Sequence, residues 1–222
     1  MRVTDRELMD DPVESIAELE GSLRDIELAN HFLGGSAPVR RAFKTLNPRT
    51  ALDIGTGSSD IPLALVRDAA RRGADLQITC LDSSAQILEI AARRTGSPRS
   101  LHFVRGIGES LPFSDGQFDV VMCNLALHHF NPKAAVALLR EMRRVARVTP
   151  LLCDLRRSPL GFVGAYLFSR IVSNNRLTRH DAPLSSRRAY TPSEARELCA
   201  SAGWQSARIE RMPFYRMLLR DG

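Results

Sequence analysis

The spacing of apolar and polar positions changes character twice along the chain. In residues 1–46, apolar positions at Ile16, Leu19, Leu23, Ile26 and Leu28 have helical spacing, interrupted at Gly34-Gly35. From Ala51, short apolar runs alternate with amphipathic segments. This predicts strands at 51–54, 77–81, 101–104, 118–123 and 148–153, and helices at 59–72, 84–95 and 132–146. Such alternation argues for a doubly wound α/β fold, a mostly parallel sheet covered by helices on both faces. Residues 155–190 depart from it with an apolar segment and then a polar, arginine-rich loop. Thr191-Pro192-Ser193-Glu194 opens a further helix, with Thr191 as N-cap, Pro192 at the first helical position and Glu194 closing a capping box. Gly203 ends that helix, and 206–210 and 213–219 read as two closing strands. The predicted organisation is one domain: an N-terminal helical cap segment over 1–46, then an α/β body over 47–222 carrying a helical insertion at 155–190.

Composition agrees with this outline. The 222 residues suit one domain, given roughly 150 residues per domain. With 44% hydrophobic and 25% charged residues, wholesale disorder is excluded. The longest mostly apolar run, Leu160 to Val172, contains Ser169 and Arg170 and is too short to span a bilayer. The first twenty-five residues have no apolar signal core, so the expected location is the cytoplasm. Cys80, Cys123, Cys153 and Cys199 form no metal-ligand spacing and read as buried thiols; no metal site is expected. The net charge of +6 raises nucleic acid as a partner. Only Lys44 and Lys133 are lysines, however, and the arginines are dispersed in pairs along predicted helices, as solvated helix faces are. A small-molecule partner is therefore preferred, with an RNA-directed role as the rival.

The ligand is best read from Asp53-Ile54-Gly55-Thr56-Gly57-Ser58-Ser59-Asp60, a glycine-bearing turn between a strand and a helix. Such a turn lets backbone approach a nucleotide closely. Asp60 stands where a dinucleotide fold needs a small residue facing a pyrophosphate, and no Gly-Lys-Ser/Thr follows to make a phosphate loop. Carboxylates at 53 and 60 suit a ligand with no phosphate and a cationic centre, as in S-adenosylmethionine. Asp82 ends the next strand 25 residues after Gly57, where a carboxylate accepts hydrogen bonds from ribose hydroxyls. Its alternative is a helix N-cap before Ser83-Ser84.

Taken in order, Asp53-Ile54-Gly55-Thr56-Gly57, Leu81-Asp82, Glu109-Ser110-Leu111-Pro112-Phe113 and Phe118-Asp119-Val120-Val121 resemble the successive motifs of class I S-adenosylmethionine-dependent methyltransferases. The nearest group contains the ubiquinone and menaquinone biosynthesis methyltransferases. The resemblance covers about residues 45–155, and more loosely Tyr190 to Trp204. It implies a seven-stranded sheet in the order 3-2-1-4-5-7-6 with the last strand antiparallel. It also implies a cofactor site at Asp53, Gly55, Thr56, Gly57, Ser58, Asp60, Asp82, Ser83, Asn124 and Leu125. Two departures stand out. Ser59 replaces the family's third glycine, and Gly106-Ile107-Gly108-Glu109 lacks the family's usual acid for the adenine amino group at 107. Adenine is then expected against Ile107 and Gly108, with Glu109 as a substitute acid.

Methyl transfer from a sulfonium needs alignment, desolvation and sometimes a base. His128 and His129 follow the strand end at Asn124 and are the candidate bases for an oxygen acceptor; their alternative is a pocket-shaping role. Asp119 reads as a strand-start residue that orders a loop. The acceptor side is assigned to Asn30 and His31, which would close over the cofactor, and to Tyr166, Arg187, Arg188 and Tyr190 in and after the insertion. Phe162, Tyr166, Phe168 and Ile171 either line an apolar pocket or pack on the sheet; the arginines either hold an acceptor anion or anchor the loop. The reading is O-methylation of an aromatic or polyketide-like acceptor, with C-methylation of a lipid quinone as the alternative.

Overall fold

The computed structural model describes residues 2–11 and 15–221. Seven strands, β1 (Thr50–Ile54), β2 (Gln77–Asp82), β3 (Leu101–Arg105), β4 (Phe118–Asn124), β5 (Ala146–Leu155), β6 (Ala207–Met212) and β7 (Arg216–Asp221), form one sheet in the order β3-β2-β1-β4-β5-β7-β6. The first five pair in parallel, and β7 runs antiparallel to both β5 and β6. This is the topology implied by the motif resemblance. Because β4 is covered on both faces, it reads as a continuous apolar run that still alternates in direction. Val121 and Cys123 face the cluster built with α5 (Pro132–Val145) and α8 (Pro192–Ser201). Val120 and Met122 face the cluster built with α2 (Ala37–Leu46) and α3 (Asp60–Arg71). A third apolar cluster, Leu19, Leu23, Ile90 and Leu177, forms where α1 (Ile16–Phe32), α4 (Ala85–Thr95) and α7 (Arg176–Arg188) meet. The four cysteines are buried free thiols. No helix among the described residues is long and apolar enough to cross a membrane.

The expected capping box at Thr191 is present: its side chain accepts from Glu194 N, and Glu194 accepts from Thr191 N. Two local expectations are corrected. The stretch expected as an arginine-rich loop is helix α7, capped by Asn175, whose side chain accepts from the backbone of Leu177 and Thr178. Five of its six buried residues are polar or charged (Thr178, Asp181, Ser185, Ser186, Arg188), so hydrophobic periodicity carries no trace of it. Residues 2–7, expected to be helical, form no regular structure and lead into a 3-10 turn at Leu8–Asp10.

For α6 (Pro159–Val172), of the two alternatives the one in which its apolar face packs on the sheet fails. Its buried residues are only Gly161 and Ser169, while Leu160 and Ile171 are 67% and 81% exposed.

Candidate active site

At the carboxyl end of β1 the chain turns through Gly55 (φ +68°), Gly57 (φ +55°) and Ser59 (φ +56°) into α3. The left-handed region favours glycine, and a Cβ on Gly55 would stand 3.0 Å from the Ala126 Cβ. Ser59, at the departure from the glycine pattern, is fully buried and lies 2.8 Å from the Thr56 hydroxyl. The turn is tied to β2. Gly55 and Thr56 donate to the Leu81 carbonyl, and Gly57 N donates to Asp82 Oδ2 at 3.3 Å. Asp82 Oδ1 accepts from Ser84 N, and it is Ser84, accepting from Ile87 N, that caps α4. Asp82 is therefore not the helix cap. Asp119 accepts from the backbone of Arg49 and Thr50 and pairs with Arg147, fastening the start of β1.

Three carboxylates thus converge on the loop. Asp53 accepts from the Thr56 hydroxyl at 2.8 Å through Oδ2, while its buried Oδ1 has no partner. Asp60 accepts from Ser58 Oγ and Asn30 Nδ2. None of Asp53, Asp60 and Asp82 forms an ion pair among the described residues. Burial raises all three carboxyls; Asp53 is pushed to about 7, with Asp60 and Asp82 adding to the rise against the Thr56 hydrogen bond. The buried Asn124 amide, at the end of β4, has neither its oxygen nor its nitrogen hydrogen-bonded. Leu125 follows at φ +52°, its N–H held by the Cys153 carbonyl. Beyond β3, Gly106 N donates to the Asp82 carbonyl, bringing in Ile107, a large apolar side chain left 55% exposed. Gly108 is buried so tightly that a Cβ there would meet Leu138 Cδ1 at 2.8 Å. Glu109 is half-buried and Ser83 exposed. Acids without cationic partners among the described residues thus stand beside an exposed isoleucine at the carboxyl end of the parallel strands.

A second polar cluster forms just after β4. The short 3-10 turn Leu127–His129 places His128 Nδ1 2.7 Å from Asp154 Oδ1 and His129 Nδ1 2.6 Å from Asp10 Oδ1. A carboxylate can only accept, so each Nδ1 carries the hydrogen and each Nε2 points elsewhere. Both Nε2 atoms lie 3.7 Å from one carboxylate, His128 from Glu7 Oε1 and His129 from Glu7 Oε2. Burial pushes the Glu7 carboxyl up to about 7 against the pull of His129 and Arg188. Burial also acts on Asp10 and Asp154, but their histidine partners outweigh it and hold both below the ordinary carboxylate value. His129 N donates to the Ala126 carbonyl, and a Cβ on Gly55 would stand 3.0 Å from the Ala126 Cβ, so the two clusters are neighbours.

The remaining acceptor-side candidates divide. Arg188, 5% exposed, pairs with Asp10 at 2.7 Å and donates to the carbonyls of His128 and His129. Tyr190 donates its hydroxyl to the Phe130 carbonyl, under the guanidinium of Arg2. These contacts anchor the histidine turn. Asn30 is buried over the glycine loop through Asp60. His31, Tyr166 and Arg187 are exposed and outside both clusters; Tyr166 stacks under Arg170. Sequence reasoning missed Glu7, Asp10 and Asp154. Asp154 carried one usable signal, an acid at the carboxyl end of a strand as at Asp82; Glu7 and Asp10 carried none.

Residues 51–149 match the family model described as a methyltransferase domain. A demethylmenaquinone methyltransferase from Thermotoga maritima is 37% identical over 102 residues, 46% of this chain and 41% of that protein. The chain thus aligns with less than half the length of that relative. Among solved structures, a SAM-dependent methyltransferase from Aquifex aeolicus is similar over 90% of this chain and 96% of its own (TM-score 0.62, 15% identity). Human N-acetylserotonin methyltransferase in complex with SAM is similar over 96% of this chain and 60% of its own (TM-score 0.68, 16% identity). Over residues 51–149 the chain thus matches a methyltransferase domain, and its fold and strand order are those that the resemblance to class I S-adenosylmethionine-dependent methyltransferases implies.

Proposed function

We propose that the protein transfers the methyl group of S-adenosylmethionine to a small aromatic or polyketide-like acceptor, releasing S-adenosylhomocysteine, with oxygen preferred over carbon. The reading is carried by three carboxylates around the glycine loop, the buried Asp53 and Asp82 and the half-buried Asp60, which have no ion-pair partner among the described residues. Asp82 would take the ribose hydroxyls, Asp53 and Asn124 the cationic amino-acid end, and Ile107 and Gly108 the base, with Leu125 beside the methyl group. Oxygen is preferred because its proton must leave, and a pair of carboxylate-oriented histidines stands next to the cofactor cleft.

The cofactor is tested by thermal melting. S-adenosylmethionine is expected to raise the melting temperature and NAD to leave it unchanged; the reverse would overturn the reading. The effect depends on pH with a definite sign. Asp53 in the free protein keeps its proton up to about 7, against ~3.9 unfolded, so the free protein loses stability as pH rises through 7. A cationic ligand favours the ionised form, so the melting shift is expected to be larger at pH 8 than at pH 6.

Two rivals meet specific observations. C-methylation of a lipid quinone draws support from the Thermotoga relative's name and from the exposed apolar face of α6, which suits a prenyl tail. An RNA acceptor draws little, because many arginines are already engaged: Arg40 with Asp68, Arg94 with Glu27, Arg144 with Glu141, Arg157 with Glu194. Activity on a small acceptor is expected to fall only modestly between low and moderate salt. A steep logarithmic fall, growing with each phosphate contacted, would favour RNA.

A further inference from the structure

The cluster of Glu7, His128 and His129 has the geometry of an ion site. One ligand-type atom from each of the three residues lies within 4.8 Å of the other two, and His128 Nε2 is 3.7 Å from Glu7 Oε1 and His129 Nε2 3.7 Å from Glu7 Oε2. Those separations are too long for hydrogen bonds. Zinc bonds to imidazole nitrogen and carboxylate oxygen run ~2.0–2.2 Å, so a central ion bridges such a triangle once the ligands close by a few tenths of an ångström.

Three independent features agree. Each histidine is oriented by a carboxylate at Nδ1, Asp154 for His128 and Asp10 for His129, which is how metal-binding imidazoles are held and made more basic. Glu7 is 4% exposed and its Oε1 is buried without any hydrogen-bond partner, an expensive arrangement unless something binds there. Charge points the same way: four carboxylates (Glu7, Asp10, Asp154 and, behind Glu7, Asp181) face two guanidiniums, Arg188, which bonds Asp10 at 2.7 Å and stands 3.6 Å from Glu7 Oε1, and Arg2 on the His128 carbonyl. A dication brings that count to neutrality.

We propose that Glu7, His128 and His129 form a binding site for a divalent transition-metal ion, with zinc as the test ion, in a two-histidine, one-carboxylate set. Three protein ligands leave a position open. It lies on the side of His129, whose side chain is 31% exposed while those of His128 and Glu7 are 4% and 5% exposed. The inference stands on the cluster alone. Where it joins the methyltransferase reading, it changes the histidines' part: both Nε2 atoms are ligands, and an acceptor hydroxyl at the open position loses its proton to water more readily because the ion acidifies it.

The test is metal titration of the chelator-treated, full-length protein. One Zn²⁺ per chain is expected, and Co²⁺ should give visible d–d bands without thiolate charge-transfer absorption. Asp10→Asn should weaken zinc binding ~10–100-fold as an orienting group, Glu7→Gln and His129→Ala more than that, and His102→Ala not at all. No stoichiometric zinc, no cobalt bands, bands showing sulfur ligation, or affinity unchanged in Glu7→Gln would each overturn the site. The cobalt spectrum of the unsubstituted protein decides the matter even if a variant fails to fold. S-adenosylmethionine binding by the metal-free protein, measured alongside, tests the methyltransferase reading separately.

Discussion

Replacing His129 by alanine is expected to lower turnover by roughly 10²–10⁴ while leaving S-adenosylmethionine affinity nearly unchanged, the range for loss of a group that handles the acceptor's proton. The reason is position. His129 follows the end of β4 close to the glycine loop, is the more open of the two histidines, and is oriented by Asp10. His128→Ala should behave differently. His128 is 4% exposed and holds the fully buried Asp154 through its ring and its backbone N–H. Truncation leaves the buried Asp154 carboxylate without its ring donor, a loss of at least ~1–3 kcal/mol, so the variant should lose stability first. Turnover and denaturant unfolding measured on both variants separate the cases. Near-parental turnover in a folded His129→Ala protein would remove the pair from the chemistry.

Asp82→Ala is expected to weaken S-adenosylmethionine binding by about 1.5–3 kcal/mol, the worth of hydrogen bonds to a charged group, or roughly 10–150-fold in the dissociation constant. Asp119→Ala should leave affinity close to the parent's and lower stability instead, because Asp119 serves Arg49, Thr50 and Arg147 at the opposite end of β1. Calorimetry on both variants makes the comparison. The discriminating feature is that Asp82 already spends one oxygen on Gly57 N and the other on Ser84 N, so its removal also loosens the glycine loop. Asp82→Asn keeps the size and one acceptor and should fall between the parent and the alanine variant. Equal affinity in parent and Asp82→Ala would reduce Asp82 to a brace between β2 and the loop.

How far the sequence determines this protein follows from the range over which its signals act. The α/β alternation, the parallel strands, the glycine turn and the acid at the end of β2 were legible because each is written locally. Apolar period marks strands and covering helices, and glycines mark left-handed backbone. The capping box at Thr191 is likewise a four-residue pattern. Helix α7 was not legible as a helix because its buried face is polar, and only partners on other elements justify burying Asp181, which accepts from the backbone of Leu8 and Met9. The apolar α6 could not be placed either, since hydrophobicity says what is to be buried and not whether a partner covers it. The histidines were visible beside Asn124, but their environment was not. Glu7 and Asp10 lie more than a hundred residues away in a segment with no periodicity, and come to the turn because Asp181 and Arg188 of α7 hold that segment there. Local pattern thus sets the sheet and the glycine loop, while the polar cluster at the histidine turn exists only once three distant pieces of chain are packed together, because buried charges choose their partners in space.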